Sequence, residues 1–91
     1  KLINKTAVVT NSIIIPPCYI GENAYIINSI IGPHVSIGKN TKIENAIITD
    51  SIIQDHSTLV NANIDNSMVG NYVEYKETYK ELNIGDYTEI F

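Results

Sequence analysis

The aliphatic residues of this chain keep neither of the ordinary periods. In the stretch "ENAIITDSII", residues 44–53, and the isoleucine just before it, Ile43, Ile48 and Ile53 fall five apart. A helix would repeat them at about 3.6 residues and a half-buried strand at about two. Followed along the chain, the ladder reads Val9, Ile14, Ile20, Ile26, Ile31, Ile37, Ile43, Ile48, Ile53, Leu59, Ile64 and Val69, with every step five or six residues. Two places before each rung stand Ala7, Ser12, Cys18, Ala24, Ser29, Val35, Thr41, Ala46, Ser51, Ser57, Ala62 and Ser67, all small or β-branched.

Such a pattern describes a chain that turns a corner every five or six residues. Each rung is one short strand. The large aliphatic points inward, and the small residue two back points inward with it. Three strands and three corners close one coil, and coils stack about 4.8 Å apart through parallel ladders. A period this short denotes a solenoid. The expected fold is an all-β, single-stranded parallel β-helix of about five coils.

Sorting the rungs by threes gives the faces. The first holds Val9, Ile26, Ile43 and Leu59; the second Ile14, Ile31, Ile48 and Ile64; the third Ile20, Ile37, Ile53 and Val69. The coils are expected over about 7–73, with a loop or cap at 74–83 and a final rung at 84–91. Between first and second faces an asparagine recurs at Asn11, Asn28, Asn45 and Asn61. Asparagine tolerates positive φ better than most residues, which suits a tight corner. Longer corners open with glycine in "IGEN", "IGKN", "VGNY" and "IGDY".

"IGENAY", "IGPHVS" and "IGKNTK" resemble the hexapeptide repeat of left-handed parallel β-helix proteins, and the left hand is implied by that resemblance alone. "VTNSII", "IINSIIGPHVSIGKNTKIENAIITDSII" and "LNIGDYTEIF" resemble the C-terminal domain of long-form sugar-1-phosphate nucleotidylyltransferases, glucose-1-phosphate thymidylyltransferase above all. The resemblance implies a non-catalytic assembly and regulatory domain behind an N-terminal catalytic domain. Magnesium would belong to that domain, so no cofactor is expected here. The glycine-rich nucleotide loop of the catalytic domain has no counterpart in this chain.

Composition narrows the function further. The chain has 91 residues, a net charge of −4 and no arginine. Nucleic-acid binding requires a basic face, so it is not expected. One cysteine, Cys18, excludes an internal disulfide and a cysteine-based zinc site. No stretch approaches the ~20 apolar residues of a membrane span and no signal peptide is visible, which reads as a cytoplasmic protein without a membrane partner. A globule of this size buries only about 60–65% of its unfolded surface, so an oligomer would ease its stability.

Candidate chemistry is sparse. Hexapeptide-repeat proteins include acetyltransferases that use acetyl-CoA at subunit interfaces, usually with a histidine base, and this is the alternative function, with a stand-alone structural trimer as a third. His34 and His56 both fall at corners, where histidine is enriched at positive φ. Cys18 fills an inward slot and reads as a small hydrophobe. Glu22, Asp50, Asp55 and Asp86 show no metal-ligand spacing. No catalytic, cofactor or metal residue is assigned. The outward residue before each rung says more: on the second face it is Ile13, Ile30 and Ile47 in successive coils, with Ile15 beside them. An exposed apolar stripe of this kind marks an interface. A homo-oligomer is expected, a trimer by the resemblance, with Ile13, Ile15, Ile30 and Ile47 in the contact.

Overall fold

A computed structural model of the protein describes residues 2–76. Those residues form fourteen strands of two or three residues each and no helix. The first-face sheet comprises β2 (Val8–Thr10), β5 (Tyr25–Ile27), β8 (Lys42–Glu44), β11 (Thr58–Val60) and β14 (Glu74–Lys76). The second comprises β3 (Ile13–Ile14), β6 (Ile30–Ile31), β9 (Ile47–Thr49) and β12 (Asn63–Asp65). The third comprises β1 (Leu2–Ile3), β4 (Cys18–Ile20), β7 (Val35–Ile37), β10 (Ile52–Ile53) and β13 (Met68–Val69). All pairings are parallel, each between one coil and the next, giving between four and five turns of a β-solenoid.

The columns are those read from the ladder. Val9, Ile26, Ile43 and Leu59 are in register, as are Ile14, Ile31, Ile48 and Ile64, and Ile20, Ile37, Ile53 and Val69. Ile20, Ile26, Ile31, Ile37, Ile43, Ile48 and Leu59 are wholly buried. The small residues between them are buried in the middle coils as well, because the corner brings each one against the column of the face it enters.

Several of these small residues carry hydroxyls, and the hydroxyls link coils. Ser29 Oγ donates to the Ile27 carbonyl at 2.8 Å and accepts the Ala46 N–H at 3.1 Å. Ser12 does the same for Ser29, and Ser51 for Ser67. A buried hydroxyl is tolerated only when bonded. Here each one also satisfies a corner amide of the coil above.

The corners depend on a change of backbone direction. Strand amides donate forward, as in Ile30 N–H to the Ala46 carbonyl and Gly38 N–H to the Ile53 carbonyl. Corner residues at positive φ donate backward. Asn28, Asn45 and Asn61, at φ 51°, 54° and 57°, donate to Thr10, Ile27 and Glu44 of the preceding coil. Asn40, Asp50, His56, Asn66 and Tyr72 follow the same rule at the other corners. Gly32 lies at φ 109°, and a Cβ there would collide with the Ile15 carbonyl one coil below. The two six-residue corners between second and third faces contain the cis bonds Pro16–Pro17 and Gly32–Pro33.

The coils extend past the 7–73 span at both ends. Leu2–Ile3 pairs with β4 and begins the third column. Within the loop or cap expected at 74–83, Glu74–Lys76 instead pairs with β11 and puts Tyr75 above Leu59. The pattern was hidden there because aromatics replace the usual residues: Tyr72 stands at the asparagine position and Tyr75 at the aliphatic rung. The rest of that segment and the final rung at 84–91 lie outside the described residues.

Ile37 has no exposed surface and sits between Ile20 and Ile53. Ile37→Ala is expected to cost about 2–5 kcal/mol, read from chemical denaturation. Ile37→Asp, which would bury an unpaired charge, is expected to abolish the cooperative transition.

Candidate functional site

Exposed side chains in each sheet form rows along the stack. On the second face Ile13, Ile30 and Ile47 lie in register on adjacent strands, followed by Asn63. They are 57%, 37% and 47% exposed, and Ile15 beside them is 38% exposed. The strands force this arrangement: the rung residues point inward, so their immediate predecessors point out. All four interface residues expected from sequence therefore sit on one outer face. The asparagine corners border the stripe, with Asn11 Nδ2 donating to Asn28 Oδ1. Asn11, Ile13, Asn28 and Ile30 line a shallow groove along this edge.

The other faces differ. The third presents Tyr19, Ser36, Ile52 and Met68, and the first presents Val8, Tyr25, Lys42, Thr58 and Glu74. The Lys42 ammonium lies 6.0 Å from the Tyr25 ring centre, and Lys76 pairs with Glu74 at 3.2 Å in solvent.

The stacked columns agree with a comparison by sequence. The family model described as "GlmU-like, C-terminal hexapeptide" matches residues 2–53, more than half of the chain. The chain belongs to this family. A search of curated proteins gave no match. As a GlmU-like hexapeptide domain, the solenoid is a left-handed β-helix built on the hexapeptide repeat.

The two histidines of this hexapeptide domain are both exposed corner residues at positive φ, 61° for His34 and 60° for His56. His34 donates its backbone N–H to the Pro17 carbonyl, and its side chain lines a shallow groove with Asp50, Ile52 and Met68. Among the described residues no hydrogen bond or ion pair joins His34 to Asp50. His56 occupies the corner column of Asn23 and Asn40 and stacks on Tyr72, with ring centres 4.9 Å apart and planes 4° from parallel. The two are on different corners, so they do not form one site. Cys18 is buried in the core.

The acidic residues do not converge. Asp55 Oδ1 accepts the Lys39 N–H of the coil below, a structural bond that also fills the space above Gly38. Among the described residues no three His, Cys, Asp or Glu side chains cluster in a way that could hold a metal ion. Among the same residues no helix is long and apolar enough to cross a membrane. Sequence reasoning missed the left-handed Tyr72; its signal was its place three residues after Val69, matching Asn23, Asn40 and His56 in the coils below.

Because both histidines serve the backbone, replacement by a residue that also tolerates positive φ should be nearly silent. His34→Asn and His56→Asn are expected to shift stability by less than about 1 kcal/mol in thermal or urea unfolding. His56→Ala should be the more damaging change, since it loses both the φ tolerance and the Tyr72 stack.

Proposed function

We propose that this chain is the assembly and regulatory domain of a cytoplasmic sugar-1-phosphate nucleotidylyltransferase, acting as a trimer. The carrying observation is the exposed row of Ile13, Ile30 and Ile47. Three isoleucines in register on adjacent strands make a contiguous apolar patch, and such patches mark protein contacts. The family match supports the parent reading, because the matched family is described as a C-terminal hexapeptide domain. The sugar 1-phosphate chemistry belongs to that domain. This chain offers no cluster of groups for nucleotidyl transfer among its described residues, and its contribution is to join copies of the enzyme. The natural gene product tests the parent reading. An upstream domain with a glycine-rich nucleotide loop is the expected finding, and an open reading frame that begins near residue 1 contradicts it.

One observation favours a second reading, an acetyltransferase using acetyl-CoA between subunits: His34 opens on the groove with Asp50, Ile52 and Met68. Saturable acetyl-CoA binding by calorimetry, lost in His34→Ala, would put this reading first. No binding is expected.

Assembly is read most simply from the stripe. Ile30→Lys is expected to convert the oligomer to monomer in sedimentation velocity while leaving the β-sheet circular dichroism unchanged, because the side chain is already outside the core. A wild-type monomer at high concentration, or a trimeric Ile30→Lys variant, would contradict the role of the stripe.

A further inference from the structure

A cyclic trimer cannot be closed by one patch meeting itself. Its contacts are heterologous, so the isoleucine row of one copy must meet a different surface on the next. This inference rests on the trimer reading, and the charge distribution selects the partner surface. Five charged residues lie within the described strands, and four of them, Lys42, Glu44, Glu74 and Lys76, are on the first face. The fifth, Asp65, is on the last strand of the second face. The third-face strands carry none. Burying the first face would strip water from charges, which is unfavourable without new partners.

We propose that the row Tyr19, Ser36, Ile52 and Met68 on the third face of one copy receives the row Ile13, Ile30 and Ile47 of its neighbour. Tyr19, Ile52 and Met68 are 46%, 47% and 67% exposed in the single chain. With Ser36 between Tyr19 and Ile52 they form a largely apolar row, one corner away from the isoleucine stripe. The levels also match. A pure rotation about an axis parallel to the solenoid brings equal coils together, and within a coil the third-face residue follows the second by less than one strand spacing of about 4.8 Å. Ile13 then faces Tyr19, Ile30 faces Ser36 and Ile47 faces Ile52. Ser36 is the small residue in its row, in register between Tyr19 and Ile52, and leaves a notch at the level of the middle isoleucine. Each copy uses both faces, and their shared corner, with Pro17, Pro33, His34 and the exposed Asp50, lies nearest the three-fold axis, where Asp50 stays in water beside the contact.

The level-matched pair Ile47 and Ile52 gives the test. Ile52→Glu and Ile47→Lys should each yield folded monomers by circular dichroism and sedimentation. Together in one chain they should restore the trimer, because the introduced glutamate and lysine face each other across the contact. The restored trimer should fall apart between low and high salt, where screening weakens an ion pair. Val8→Lys, an exposed first-face change, should leave a trimer. A trimeric Ile52→Glu variant, or a double variant that stays monomeric while both singles are folded, overturns the face pairing. A monomeric wild type overturns the trimer reading beneath it, so the two failures are distinguishable.

Discussion

Everything in this structure depends on where the backbone amides of a coil can find partners. A strand of two or three residues cannot bond to itself, and its neighbours in sequence have turned a corner. Its hydrogen bonds can go only to the coils above and below. Strand amides donate forward, and the residue at positive φ turns its own amide backward, as Asn45 does toward Ile27. An unbonded buried amide is expensive. The corner residue is therefore chosen for its tolerance of the left-handed region, and asparagine, aspartate and histidine fill most such positions. Tyr72 departs from that choice and lies flat on His56.

Once coils stack in register, side chains are sorted without further choice. Odd and even positions of each short strand face in and out. The inward rungs fuse into one narrow core of isoleucine and leucine, and the serines beside them bridge amides from coil to coil. The outward residues become straight rows at strand spacing. A row is a repeated choice, so three isoleucines in successive coils make a continuous surface where scattered ones would not. The strand charges concentrate on the first face, with Asp65 alone on the second and none on the third.

The columns were legible in the sequence because the period of five or six is set by the coil itself, and an out-of-phase residue would point its side chain the wrong way. The asparagine column was legible for the same reason. The serine bridges were not, since a serine at an inward slot reads only as small, and its hydroxyl gains meaning when the coil above is placed over it. The strand Glu74–Lys76 was obscured by Tyr75, which stands at a rung where every earlier coil has an aliphatic residue. Leu2–Ile3 was missed because a single rung at the start of a ladder has no predecessor to confirm its phase. For the candidate site, sequence placed Ile13, Ile15, Ile30 and Ile47 on one exposed face and both histidines at corners. The bias of charge between the three faces emerged only after every strand was assigned.

Native-state hydrogen exchange tests the central claim, that coil-to-coil bonds in one register hold the fold. The amides of Ile30, Gly32, Gly38 and Ile47 each donate to a carbonyl of the following coil, on two different faces. The account predicts that these four exchange together, with one common protection close to the global unfolding free energy. Exchange of any interior pair among them at the rate of an unstructured peptide would contradict it.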